Sequence, residues 1–159
     1  MRILFVCLGN ICRSPTVEGV ARQLAAREAA HLALEFDSAG TAGYHIGDPP
    51  DGRSQRAALE RGYDISGLRA RQVEPADFQR FDLLLAMDED NLRDLRAIAP
   101  RSTAQRAQLF LAGCTEAGCM AVPDPYYGDG RGFERVLDLA EMGVRTLLRS
   151  VEAGRRQGR

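Results

Sequence analysis

The sequence predicts an α/β sandwich around a parallel sheet, and three observations carry that expectation. Short apolar, β-rich runs recur along the 159 residues. Segments with apolar residues at helical spacing lie between them. The first run, residues 3–7, shows no polar alternation, as in a strand covered on both faces. Strands that alternate with helices join by right-handed crossovers into a sheet flanked by helix layers. The length and a 45% hydrophobic content suffice for one core, so residues 1–152 are expected to form one domain.

The elements follow in order. After the strand at 3–7, Ser14 and Pro15 open a helix, since Ser can cap exposed N–H groups and Pro suits a first helical turn. Val17, Val20, Ala21, Leu24 and Ala25 give its buried stripe, to about residue 30. Residues 34–38 read as a second strand, 39–50 as a Gly- and Pro-rich loop, and 51–61 as a helix. Residues 81–87 form a third buried strand, 88–98 a helix, 108–111 a fourth strand and 113–132 a long loop. The last helix spans 133–151, with Val136, Leu137, Ala140, Val144, Leu147 and Leu148 at helical spacing. Residues 153–159 are expected to fray as a solvated tail.

Composition narrows the function. A net charge of -1 points to neither nucleic acid nor an anionic membrane as partner. All 21 basic residues are Arg, which excludes a lysine Schiff base or a P-loop lysine. Residues 2–8 have the charge-then-apolar order of a signal peptide, but Gly9, Asn10 and Arg13 interrupt it, so no cleaved signal is expected. No apolar run approaches the 18 or more residues of a membrane span. Cys7, Cys12, Cys114 and Cys119 are expected to be reduced, in a cytoplasmic setting, because a domain with a full core needs no disulfide staples.

The informative segment is Cys-x5-Arg-Ser, from Cys7 to Ser14, set between a buried strand and a helix start. Five residues, Leu8, Gly9, Asn10, Ile11 and Cys12, are enough to curl backbone N–H groups around one tetrahedral anion above a helix N-terminus. The fork of Arg13 can hold two phosphate oxygens. The same field favours the thiolate of Cys7, a nucleophile that needs no histidine base. Ser14 can donate to its sulfur. A lone Cys at a strand end is usually structural; the joint pattern singles this one out. Asp124, between Pro123 and Pro125, and the adjacent Tyr126 and Tyr127 lie in the long polar loop. An aromatic pair there suits the ring of an aryl substrate. Cys114 and Cys119 lack the second ligand pair of a zinc site, and no metal or cofactor is expected. His31 and His45 read as ordinary surface histidines.

The segment Cys7 to Pro15 (CLGNICRSP) and Asp124-Pro125-Tyr126-Tyr127-Gly128 before the last helix resemble the low-molecular-weight protein tyrosine phosphatase family. Ser38-Ala39-Gly40-Thr41 and Met87-Asp88 extend the likeness over nearly the whole chain. The resemblance implies a three-layer sandwich with a four-stranded parallel sheet, the flavodoxin-like phosphotyrosine phosphatase I fold. It implies Cys7 as nucleophile through a phosphocysteine, Arg13 as phosphate and transition-state binder, and Asp124 as general acid and base. Asn10 and Ser38 become loop supports, Tyr44 the aromatic wall facing Tyr126 and Tyr127, and Cys7 with Cys12 a reversible redox pair. The implied partners are phosphotyrosine proteins or peptides, tyrosine kinases among them, with inorganic phosphate as product. Three other readings remain to be weighed. Arsenate reductases of this fold need further cysteines in the stretch matching 87–95, where this chain has none. Phosphoarginine phosphatases tend to carry Thr where Ile11 stands. A non-catalytic phosphotyrosine-binding module would be expected to lack the thiol or the acid, and both are present.

Overall fold

The computed structural model describes residues 1–158. Four parallel strands, β1 (Arg2–Cys7), β2 (Glu35–Gly40), β3 (Leu83–Ala86) and β4 (Ala107–Leu109), form one sheet in the order β2-β1-β3-β4. β1 is central and its residues Ile3 to Cys7 are buried, which explains the missing polar alternation. Its alternate side chains serve two cores. Ile3, Phe5 and Cys7 face α1 (Arg13–Glu28) and α5 (Gly130–Gln157), whereas Leu4 and Val6 pack with Phe78 of α3 (Asp77–Arg80) and Leu92 and Leu95 of α4 (Glu89–Ala97). Phe5 lies at the centre of the first core, stacked on Phe36 and edge-on to Phe110. α2 (Gly52–Glu60) is tied to α5 by Arg61, whose guanidinium meets Glu134, Asp138 and Glu141.

This topology positions the site. The chain leaves β1 for the neighbour on one side, then crosses to the other side for β3. The loop after Cys7 therefore opens at a point where the strand order reverses, a common place for ligands in such sheets. Gly40, at the end of β2, lets that loop lie close: a Cβ there would come within 2.6 Å of the Leu8 carbonyl oxygen.

Several boundaries differ from expectation for physical reasons. α1 starts at Arg13 after Cys12, and no side chain caps it. Ser14 is therefore not the cap; it lies inside the first turn with its hydroxyl turned to Cys7. α5 starts three residues early because Asp129 caps it through the Arg131 N–H, and it runs to Gln157. Residues 153–157 are thus helical, not frayed: Arg155 donates to the carbonyls of His31 and Leu32. Arg159, the end of the expected tail, lies outside the described residues. The four-residue α3 has too few turns to show a period, and it rests on the buried Asp77, gripped by Arg71 through both carboxylate oxygens. Among the described residues, no helix is long and apolar enough to cross a membrane.

Candidate active site

Cys7 ends β1, and the loop after it curls back over the sulfur. The Asn10 N–H donates to Cys7 Sγ at 3.3 Å, and Ser14 Oγ lies 3.0 Å from it. With Cys7 as thiolate, an acceptor only, the Ser14 hydroxyl is the donor. The curl needs Asn10 at φ 58°, a left-handed conformation that asparagine tolerates. Its side chain is fully used. Nδ2 donates to Ser14 Oγ (2.8 Å) and Ser38 Oγ (2.9 Å), and Oδ1 accepts from the Arg71 N–H (3.0 Å). Ser38 in turn donates to the buried Glu18 at 2.7 Å. Burial pushes the Glu18 carboxyl up, and hydrogen bonds from Ser38 and Arg22 partly offset this. Among the described residues, the backbone N–H groups of Leu8, Gly9, Ile11 and Cys12 donate to no protein acceptor. Together with the uncapped start of α1, they form a concentration of unpaired donors suited to an anion.

Arg13 is almost fully buried beneath this loop. Its Nη1 donates to Asp88 Oδ2 at 2.5 Å and to the Val122 carbonyl at 3.1 Å, and its Nη2 lies 3.7 Å from Asp124 Oδ2. Burial works against its charge, but Cys7 and the bonded, charged Asp88 outweigh it and hold the guanidinium protonated. Asp88 is the partner of Arg13 that sequence reasoning missed. It caps α4 with its other oxygen, Oδ1, through the Asn91 N–H. Both jobs fall on one carboxylate, and the visible signal was an Asp at the end of a buried strand.

These groups meet at a cavity of about 240 Å³ lined by Cys7, Leu8, Gly9, Ile11, Cys12, Arg13, Tyr44, His45, Asp124, Tyr126 and Tyr127. Larger grooves of about 630, 800, 420 and 300 Å³ open on other faces; of these only the last holds cysteines, Cys114 and Cys119, and it has no arginine in its lining. Asn10, Ser14 and Ser38 lie behind the cavity wall and act through Cys7 and the loop. Asp124 is held by the Tyr126 N–H on Oδ1 (3.1 Å). Tyr127 is 93% exposed and Tyr44 78%, so neither serves the core, and Tyr126 and Tyr127 pack edge to face at 4.9 Å. Burial, partly offset by a hydrogen bond to Ser54, pushes the Cys12 thiol up to about 12. It is a neutral thiol at physiological pH.

His31 is exposed and His45 half-buried, and each finds a carboxylate. His31 meets Glu152 at 2.5 Å on the α1/α5 face, and His45 meets Asp48 at 3.3 Å at the cavity rim, against Gly9. Sequence spacing shows neither pair clearly, because one joins distant elements and the other sits in an irregular loop. Cys114 and Cys119 share a separate shallow groove with Met120.

Residues 2–157 match the profile of the family described as low molecular weight phosphotyrosine protein phosphatase. The Homo sapiens protein of that name is 43% identical over 135 residues, covering 84% of this chain and 85% of the relative. The low molecular weight protein-tyrosine-phosphatase YfkJ of Bacillus subtilis is 39% identical over 150 residues, covering 94% and 95%. A crystal structure of a protein tyrosine phosphatase from Entamoeba histolytica, with Hepes in its active site, matches at a TM-score of 0.93 and 39% identity, covering 98% of this chain and 99% of that one.

Proposed function

The chain belongs to the low molecular weight phosphotyrosine protein phosphatase family and is a protein tyrosine phosphatase, a hydrolase; on that premise we propose that Cys7, Arg13 and Asp124 carry the reaction. One observation supports this assignment above the others. The sulfur of Cys7 meets two donors at the base of a cavity that also holds the Arg13 guanidinium and the Asp124 carboxyl. In the first step the Cys7 thiolate attacks phosphorus in line, the P–O bond to the tyrosyl oxygen breaks, and Asp124 gives its proton to the departing phenolate. In the second, Asp124 takes a proton from water as its oxygen attacks phosphorus. The P–S bond breaks, the sulfur leaves as thiolate stabilised by Ser14 and the Asn10 N–H, and inorganic phosphate departs. Arg13 and the free N–H groups bind the equatorial oxygens throughout. Tyr44, Tyr126 and Tyr127 wall the ring of a phosphotyrosine protein or peptide, an arrangement that favours the aryl ester over the shorter phosphoserine. Four free thiols support a cytoplasmic setting.

A leaving-group series tests the acid. Asp124→Ala is expected to slow phosphotyrosine turnover by ~10²–10⁴-fold. Aryl phosphates whose phenols are strong acids should lose much less in the first step, because they depart as anions. The plot of log rate of phenol release against leaving-group pKa should be markedly steeper in the variant; parallel lines would remove Asp124 from the role.

The cradle also predicts competitive inhibition by phosphate or vanadate. At 100 times Kd, binding to the native state contributes about 2.7 kcal/mol, a rise in Tm of roughly 5–10 °C for a chain of this size. No rise with saturating vanadate would contradict an anion site in the loop.

Peroxide should inactivate the enzyme reversibly. Oxidation of Cys7 to the sulfenic acid allows condensation with the Cys12 thiol, which forms the disulfide and releases water. Dithiothreitol then restores activity, and Cys12→Ser should make the loss irreversible. Since Cys12 must shed a proton that burial retains, ring closure should accelerate as pH rises above neutral. Equal recovery in wild type and Cys12→Ser would leave Cys12 with a packing role alone.

A further inference from the structure

We propose that Arg53 is a positioning residue that sets the aim of the Asp124 carboxyl by tying the loop around Asp124 to the phosphate cradle. This rests on the reading of Asp124 as the acid. Arg53 stands in the first turn of α2 and is not itself among the residues that line the cavity. Its side chain reaches two structures at once. Nε and Nη2 bind the two oxygens of Asp51 at 3.1 and 3.0 Å, and Nη2 also donates to the Tyr126 carbonyl at 3.1 Å. The guanidinium carbon sits 5.4 Å from the centre of the Tyr126 ring and 4.8 Å from that of Phe133, the fourth residue of α5.

Each end of this strut is joined to the chemistry. The Asp51 N–H donates to the Ile11 carbonyl at 2.8 Å, so the residue that anchors Arg53 is bonded to the cradle loop. Asp51 also caps α2, and the hydrogen bond from Arg53 leads the effects that hold its carboxyl below the usual range, so the anchor is charged at working pH. At the other end, Tyr126 is bonded through both of its backbone groups. Its carbonyl accepts from Arg53, and its N–H holds Asp124 Oδ1 at 3.1 Å. One peptide segment therefore connects the guanidinium to the acid. Pro125 is buried, but Asp124 and residues 126–130 are exposed, so losing this hold should widen the range of Asp124 orientations without disturbing Cys7 or Arg13. Lysine offers neither the fork nor the flat face, and should restore little.

The test compares Arg53→Ala, Arg53→Lys, Asp124→Ala and the double variant Arg53→Ala/Asp124→Ala over the aryl phosphate series, with vanadate affinity as a check on the cradle. Arg53→Ala is expected to lower kcat for poor leaving groups roughly 5- to 30-fold, to steepen the leaving-group plot towards that of Asp124→Ala, and to leave vanadate affinity unchanged. On the Asp124→Ala background the same change should cost less than about twofold, because two residues that act through one group are not additive. Equal slowing of every substrate, or an undiminished loss on the Asp124→Ala background, would overturn the proposal. Should Arg53→Ala melt below the assay temperature, Arg53→Lys is read by the same criteria. If Asp124→Ala itself left the slope unchanged, the acid assignment would fail; if only Arg53→Ala did so, the strut alone would fail.

Discussion

Cys7→Ser is expected to lower hydrolysis of p-nitrophenyl phosphate by about 10⁴-fold or more, the scale on which loss of a covalent nucleophile registers. The reason lies in the pairing around the sulfur. Ser14 Oγ and the Asn10 N–H are arranged to stabilise a thiolate, and a serine hydroxyl at the same place remains protonated because no base adjoins it. The fold should survive. The side chain shrinks slightly in a site that already supplies two hydrogen-bonding partners, so Tm should move by only a few degrees and vanadate should still bind. Activity of more than a few per cent in a folded Cys7→Ser protein would mean that another group attacks phosphorus.

Arg13→Ala is expected to cost about 10³-fold or more in kcat/KM, with vanadate affinity falling in parallel. Buried electrostatic stabilisers of an oxyanion contribute on this scale. Arg13→Lys should recover little of it. The side chain is placed to hold Asp88 and the Val122 carbonyl with one nitrogen while the other faces the region beside Asp124, and a point charge cannot divide itself in that way. Removing the guanidinium also leaves the Asp88 carboxylate without its ion-pair partner, a cost of order 1–3 kcal/mol. Arg13→Ala should therefore melt lower than Cys7→Ser. The combination Arg13→Ala/Asp88→Asn should regain part of that stability and none of the activity. Recovery of more than about a tenth of wild-type kcat/KM by Arg13→Lys would show that charge alone suffices.

How far the site was readable follows from sequence separation. The cradle from Cys7 to Ser14 is local: its thiol, donors and helix start lie within eight residues, so spacing alone points to it. β1 and α5 were equally plain, the first from a continuous apolar run and the second from a long apolar stripe. The supports were not legible in the same way. The bond from Arg71 N–H to Asn10 crosses 61 residues, and that from Arg13 to Asp88 crosses 75. Such pairs leave no periodic trace, and only the packed sheet brings them together. The start of α1 differs because Ser14 has the chemistry of an ordinary cap, whereas its hydroxyl is turned to sulfur and no side chain caps the helix end. His45 shows the limit from the other side: a histidine in an irregular loop carries no pattern, yet the chain turns it to the cavity rim. Residues 153–157 read as tail because they carry no apolar residue beyond Ala153, and they stay helical through the bonds of Arg155 to a distant turn.

The central claim is that phosphate passes through a covalent bond to Cys7, and the most direct measurement is acid-quenched trapping with ³²P-labelled aryl phosphate followed by peptide mapping. Within the first turnover, label should appear on the peptide that contains Cys7, be chased off by unlabelled substrate, and be absent from Cys7→Ser. In a variant that slows the second step, such as Asp124→Ala with an activated substrate, it should accumulate towards one phosphoryl group per chain. Turnover at the wild-type rate with no label on Cys7 at any quench time, or label on another residue that persists in Cys7→Ser, would contradict the account.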